Sequence, residues 1–107
     1  MSAQPQPFQP ERVESSHRGI TVYYPGGRVY ASMDMAVLRQ VRLLMWRNQL
    51  HWHLISAGNE LLIPCGIPGE VAMRRELQEL PGFNTDLFFA YMDNRAGQEP
   101  PLLLWQY

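Results

Sequence analysis

Alternating apolar and polar positions in the first third of the chain predict a β-hairpin. Two β-prone runs, residues 20–24 and 28–31, flank the sequence Pro25-Gly26-Gly27. Proline sets φ for entry into a turn, and glycine supplies the positive φ of its exit. The pattern fits two turn lengths, so it leaves open which residues of this hairpin share a face.

A second hairpin is predicted by residues 50–55 and 60–65, because they flank Gly58-Asn59, a two-residue connection typical of primed turns. With these two residues as the loop, Leu54 faces Ile63, and directly opposed residues share a face of the sheet. The predicted core face carries Leu50, Trp52, Leu54, Ile63, Cys65 and Ile67. The other face is predicted to be more exposed, and it carries His51, His53, Ile55, Leu62 and Pro64.

Residues 34–47 fit two kinds of element. As a helix, the segment gathers most of its apolar residues on one arc but leaves Leu43 and Trp46 on the polar side. As a strand, its alternation of apolar and polar residues is also imperfect. We favour a strand over residues 37–46, because the next strand begins almost at once and Arg47-Asn48 can form a tight turn between them.

A helix is predicted over residues 68–80. Pro68 suits the first turn, and Glu70 lies near the positive end of the helix dipole. Glu70 is expected to pair with Arg74, four residues on, at the solvent side. Positions i, i+4 and i+7 give the predicted buried stripe, which consists of Met73, Leu77 and Leu80.

Two further elements follow the first helix. Pro81-Gly82 ends that helix, and Asn84 or Thr85 can cap a short second helix that runs to Met92. The apolar residues 102–107 predict a last strand, although so apolar an end can equally lie flat in a groove.

These elements predict an α+β domain with a curved antiparallel sheet of about five or six strands, one main helix and a short second helix. A ferredoxin-like sandwich is the alternative if residues 34–47 are helical. The polar segment 1–16, rich in proline and glutamine, predicts a flexible tail, and residues 17–107 a single domain.

Composition narrows the possible partners and location. Nine basic and ten acidic side chains give a net charge of −1, which argues against a dedicated nucleic-acid binder. No apolar run approaches the length that spans a bilayer, and the polar N-terminus does not resemble a secretory signal. We therefore expect a cytoplasmic protein with no membrane span. The single cysteine, Cys65, forms no internal disulfide.

Candidate metal chemistry centres on His51-Trp52-His53. Alternating histidines project from the same face of a strand, so they can share a zinc ion if a third ligand is present. Cys65 is the nearest candidate, but the predicted register places it on the opposite face, beside Trp52. The prediction is therefore two surface histidines, no metal and no cofactor. A small metal-dependent enzyme that uses His51, His53 and Cys65 is the alternative.

Arg39, Arg42 and Arg47, with Trp46 among them, form a local basic cluster. Arginine beside an aromatic ring suits the binding of phosphate headgroups or other anions. These three residues are therefore the candidates for a small-ligand or anionic-lipid site. A solvated strand edge, on which charges discourage edge-to-edge pairing, is the explanation that we favour for them.

The order of apolar motifs resembles small bacterial pleckstrin-homology-like domains over residues 20–83. The motifs are Val41-Arg42-Leu43-Leu44, Leu61-Leu62-Ile63-Pro64, Ile67-Pro68-Gly69 and Leu80-Pro81-Gly82-Phe83. The resemblance implies a strongly bent sheet closed by a helix, and a binding module without enzymatic activity. The chain departs from these domains in its segment 86–107 and in lacking a lysine-rich first hairpin, so the resemblance does not extend to lipid recognition.

The predicted function is a non-catalytic protein-interaction module, an accessory or regulatory subunit that binds another protein or a second copy of itself. The sequence lacks a nucleophile elbow, a phosphate-binding loop and a dinucleotide fingerprint. Exposed aromatic residues are typical contact residues of such modules. The candidates are Tyr23, Tyr30, Trp105 and Tyr107.

Overall fold

The computed structural model of the protein describes residues 9–107, which form seven strands and two helices. The strands are β1 (Arg12–Ser15), β2 (Gly19–Tyr23), β3 (Val29–Asp34), β4 (Leu38–Trp46), β5 (Gln49–Ser56), β6 (Asn59–Pro64) and β7 (Leu102–Gln106). The helices are α1 (Glu70–Gln78) and α2 (Thr85–Met92). The predicted α+β class is confirmed. The prediction of one curved sheet of about five or six strands needs correction, since the seven strands form two antiparallel sheets. A 3₁₀ turn at Met35–Val37 lies between β3 of one sheet and β4 of the other.

The three-stranded sheet has the order β1-β2-β3 and begins inside the predicted tail. The part of that tail at residues 1–8 lies outside the described residues. Its last part is not a tail, because Arg12–Ser15 form β1. Val13 lies opposite Val22 and is buried, so this short strand contributes a β-branched side chain to the core. The first predicted hairpin is confirmed as β2 and β3.

The four-stranded sheet has the order β6-β5-β4-β7. Residues 34–47, whose pattern fitted either a helix or a strand, contain strand β4. This strand lies between β5 and β7 and is antiparallel to both. The condition for the ferredoxin-like alternative is therefore not met. The C-terminal segment is the predicted strand, and Trp105 pairs with Val41. The apolar end of the chain thus packs on its own core.

The second hairpin has a register two residues from the predicted one. The loop is Ala57-Gly58 rather than Gly58-Asn59, since Ser56 pairs with Asn59, and Leu54 lies opposite Leu61. Gly58 takes a φ of 127°, a conformation that glycine adopts without strain. A shift of two residues leaves every side chain on its predicted face, because faces alternate with a period of two.

Both helices are close to their predicted bounds. The Asn84 side chain caps α2 by accepting a hydrogen bond from the Leu87 N–H at 3.0 Å. Helix α1 begins after Gly69, whose φ is 89°. A β-carbon on Gly69 would lie 1.8 Å from the Val13 carbonyl oxygen, so only glycine allows α1 to approach β1 this closely.

One apolar core joins the two sheets and the helices. Trp52 of β5 stacks on Phe88 of α2 with ring centroids 5.4 Å apart, and its indole N–H reaches Glu70 of α1. Both helices therefore pack on the Trp52 face of the four-stranded sheet. Buried core residues include Val13, Ile20, Val22, Leu43, Trp52, Leu54, Ile63, Met73, Leu77, Phe88 and Leu104. No helix within residues 9–107 is long and apolar enough to cross a membrane.

Candidate interaction surface

The two histidines and the cysteine of the metal hypothesis lie on different faces of the sheet. His51 and His53 lie on the face of β5 opposite Trp52, whereas Cys65 packs against the core. The Nδ1–H of His51 donates to the Gln49 carbonyl oxygen at 2.8 Å. Within residues 9–107, no three His, Cys, Asp or Glu side chains are grouped so as to hold a metal ion.

His51 is not the surface residue that the sequence predicts. Only 4% of it is exposed, since the edge of its ring meets Trp46, with centroids 5.5 Å apart, and the residue lies in a cleft. Pro64, its neighbour across β6, is also buried. His53 is half-buried, and its Nε2 lies 3.4 Å from the Glu60 carboxylate. The predicted exposure is thus wrong for His51 and Pro64.

The Cys65 thiol is unsuited to nucleophilic chemistry. Burial is the main cause that raises its pKa to about 12, and the nearby Glu70 carboxylate raises it further. A thiol with so high a pKa carries almost no thiolate at neutral pH, and thiolate is the reactive form. Cys65 therefore acts as a small apolar residue.

Glu70 is buried rather than solvent-exposed, which corrects the expectation for α1. Its carboxylate accepts two hydrogen bonds from the Arg74 guanidinium, at 2.9 and 3.0 Å. It also accepts the Gly66 N–H at 3.0 Å and the Trp52 indole N–H at 3.3 Å. All four donors belong to the protein, so the carboxylate joins α1 to β5 and is not free for acid–base work.

The three arginines of the predicted anion site do not form one group. Arg39 stacks on Tyr107, with Cζ 4.8 Å from the ring centroid, while Arg42 donates from Nε to Gln40 Oε1 at 2.9 Å. Arg47 stacks on Trp46, with Cζ 4.4 Å from the centroid. The three arginines are distributed along β4, a strand of nine residues, and the turn that follows it. A strand rises roughly 3.3 Å per residue, so their backbones are well separated.

The four predicted contact residues, three tyrosines and one tryptophan, are also dispersed. Trp105 is 9% exposed and donates its indole N–H to the Pro81 carbonyl oxygen at 2.8 Å, so it is a core residue and not a contact residue. Tyr23 donates to Glu14, and Tyr30 meets Tyr24 edge-on. Tyr107 is 82% exposed.

The structure assembles a larger, partly apolar surface that does not follow from any one segment of the sequence. We call it the outer face, meaning the side of the four-stranded sheet opposite Trp52. One row of cross-strand neighbours crosses all four strands and consists of Leu62, His53, Arg42 and Leu103. Neighbouring rows add Leu44, Ile55 and Trp46.

The outer face is partly exposed to solvent within residues 9–107. Both helices lie on the other side of the sheet, and the apolar residues of the three-stranded sheet belong to the same inner core. Leu103 and Trp46 are each 42% exposed. Leu44, Ile55 and Leu62 are half-buried.

One corner of the outer face forms a small cleft, which we call the corner cleft. It encloses about 140 Å³ between the β4–β5 turn, His51 and the N-terminal residues Gln9 and Pro10. Ligand pockets for drug-sized molecules enclose about 300–1,000 Å³. The corner cleft is therefore large enough for one side chain, but not for a nucleotide or a similar cofactor.

Comparison of the chain with protein-family models, with curated proteins and with solved structures gave no match in any of the three. The resemblance to pleckstrin-homology-like domains therefore stays a prediction.

Proposed function

We propose that this protein is a non-catalytic interaction module that binds another protein through the outer face. The observation that carries the proposal is the partly exposed row of Leu62, His53, Arg42 and Leu103, flanked by Leu44, Ile55 and Trp46, which no described helix covers. Apolar side chains concentrated on one sheet face lower the free energy when a partner removes them from water.

The composition of the outer face supports a protein partner over a small molecule. Tryptophan and arginine are enriched in protein interfaces, and the outer face carries Trp46 and Arg42 among aliphatic side chains. The corner cleft, at about 140 Å³, is too small for a cofactor. The dispersal of Arg39, Arg42 and Arg47 also favours protein over an anionic lipid surface.

The state of the reactive groups supports binding rather than catalysis. The raised pKa of Cys65 removes the thiolate that a nucleophile needs. The Glu70 carboxylate is saturated by donors from its own fold. A cytoplasmic location remains our expectation.

Replacing Leu103 with aspartate tests the proposal. Leu103→Asp places a charge at the β7 end of the row, on a side chain that is 42% exposed, so it should weaken partner binding while leaving the core unchanged. The matched control is Val71→Asp on α1, which is 53% exposed and lies away from the outer face. Partners are captured from the native cell with the full chain. Each purified partner is then titrated against the unchanged chain, Leu103→Asp and Val71→Asp.

The proposal expects a partner that loses at least about tenfold in affinity with Leu103→Asp, or about 1.4 kcal/mol, and is unaffected by Val71→Asp. If the partner is a second copy, sedimentation of the purified chain shows self-association that Leu103→Asp removes. Equal binding by the two variants would show that the outer face is not the docking surface.

A further inference from the structure

The corner cleft carries a cation that has no anionic partner within the described chain. Arg47 is exposed, and no carboxylate of residues 9–107 forms an ion pair with it. Its guanidinium lies over the Trp46 ring, with Cζ 4.4 Å from the centroid. A cation–π contact does not require hydrogen bonds from the guanidinium, so its N–H groups stay available to an acceptor.

The backbone holds Arg47 in an unfavourable conformation. Arg47 and Asn48 form the two-residue turn between β4 and β5, with φ of 51° and 61°. Asparagine and glycine tolerate positive φ in such turns, whereas other residues lose roughly 1 kcal/mol. An arginine at this position is costly for the fold, and strained residues of this kind concentrate at ligand-binding sites.

The rest of the corner cleft is rigid and partly apolar. The hydrogen bond from His51 Nδ1–H to the Gln49 carbonyl fixes the imidazole, and the ring packs edge-on against Trp46. Pro10, Pro64 and Ile67 supply apolar walls. The cleft thus combines one free guanidinium with an apolar lining and a volume of about 140 Å³.

We propose that the corner cleft binds one carboxylate side chain, an aspartate or glutamate of the partner protein. The carboxylate takes the in-plane N–H groups of Arg47, and the methylene stem lies among Trp46, Pro64 and Ile67. This inference rests on the proposed function, because the cleft lies at one corner of the outer face.

The charge and size of the cleft favour a carboxylate over a phosphate. The planar fork of one guanidinium matches the two oxygens of a carboxylate, whereas phosphorylated side chains are recognised by clusters of arginines. Arg47 is the one arginine that lines the cleft. A side chain that combines an anionic tip with an apolar stem also matches both halves of the lining.

The test uses two small probes that differ in one group. N-acetylglutamate N-methylamide carries the carboxylate, and N-acetylglutamine N-methylamide is its neutral isostere. Each is titrated into the full ¹⁵N-labelled chain, with the indole N–H of Trp46 as the signal. We expect the glutamate probe to bind with a Kd on the order of 1 mM and the glutamine probe at least about tenfold more weakly.

Two variants test whether Arg47 is responsible for binding the glutamate probe. Arg47→Gln should reduce glutamate-probe binding to the level of the glutamine probe, because it removes the charge from the cleft. Arg39→Gln is the matched control, since Arg39 lies on β4, the strand that leads into the Arg47 turn, but its guanidinium lies over Tyr107. Added salt should weaken the binding of the glutamate probe alone. Unchanged resonances elsewhere show that both variants are folded.

Three results would overturn the assignment. They are equal affinities for the two probes, glutamate-probe binding that survives Arg47→Gln, and inorganic phosphate that binds at Trp46 at least about tenfold more tightly than the glutamate probe. None of these measurements needs the partner. A negative probe result beside a positive Leu103→Asp result therefore removes the carboxylate assignment and leaves the docking face standing.

Discussion

Glu70 and His51 are the two polar or charged residues that the described chain buries. Neither burial follows from the local sequence pattern. Glu70 lies on the helical arc that the pattern assigns to solvent, and it is buried because Trp52 and Arg74 close over it. His51 meets the Trp46 ring and lies in a cleft that Gln9 and Pro10 also line. Both contacts depend on tertiary packing.

Removal of the Glu70 carboxylate should destabilise the fold. Glu70→Ala leaves the Arg74 guanidinium, the Trp52 N–H and the Gly66 N–H without their acceptor, so the free energy of unfolding should fall by about 3 kcal/mol. Urea denaturation measures the loss. Glu79→Ala, at an exposed position near the end of the same helix, should change the free energy of unfolding by less than about 0.5 kcal/mol. A similar small change for Glu70→Ala would contradict the structural role of the carboxylate.

The raised pKa of Cys65 predicts a dependence of stability on alkaline pH. The unfolded thiol ionises near its ordinary pKa of 9.0, whereas the folded thiol keeps its proton up to about 12. Between these values the unfolded state binds fewer protons, so stability should fall as pH rises through this window.

Cys65→Ala isolates the contribution of the thiol, because other groups that titrate at high pH are common to both proteins. The urea midpoint of the native chain should fall more steeply than that of Cys65→Ala above about pH 9. Iodoacetamide at about pH 8 should label the folded chain at least about tenfold more slowly than the chain in urea. The prediction is contradicted if the urea midpoints of the two proteins fall equally with pH and iodoacetamide labels the folded chain as fast as the chain in urea. Those results would show that the Cys65 thiol is accessible to solvent.

At the scale of elements, local pattern predicted the hairpins, both helices and the last strand within a few residues. The hairpin β5–β6 shows a feature that the local pattern cannot predict, the register of its two strands. Ala57-Gly58 and Gly58-Asn59 are both plausible loops, and both leave Trp52 on the core face. Since the two registers have the same apolar faces, the sequence pattern could not choose between them.

The contact between β1 and the start of α1 depends on Gly69. Gly69→Ala places a methyl group 1.8 Å from the Val13 carbonyl oxygen, so β1 must move away from α1. We expect a loss of at least about 3 kcal/mol in the free energy of unfolding, measured in urea. The Val13 amide, which donates to the Pro68 carbonyl at 3.0 Å, should also lose protection from hydrogen exchange.

Gly82→Ala is the control for backbone strain. Gly82 has a φ of 85°, close to that of Gly69, but nothing lies within 4 Å of its missing β-carbon. It should therefore cost only about 1–2 kcal/mol. Equal losses for the two variants would show that positive φ, and not the approach of β1, is the constraint at Gly69.

At the scale of the whole molecule, the sequence predicted the class of the fold and left the arrangement of its surface open. The outer face could not be derived from any one segment, because it combines residues from β4, β5, β6 and β7. Leu103 joins it only through the long-range pairing of β7 with β4. Arg47 and Trp46, by contrast, are adjacent in the sequence and form a local basic and aromatic group there, and the structure places both at the corner cleft.

The placement of β1 also determines how the chain can be shortened. A fragment beginning at residue 17 would leave β2 as a bare sheet edge, with the N–H and C=O groups that now bond β1 unpaired. Its sequence Ile20-Thr21-Val22 is rich in β-branched residues, the composition that favours pairing with identical strands of other molecules. The four residues of β1 thus protect the edge of β2 from pairing with strands of other molecules.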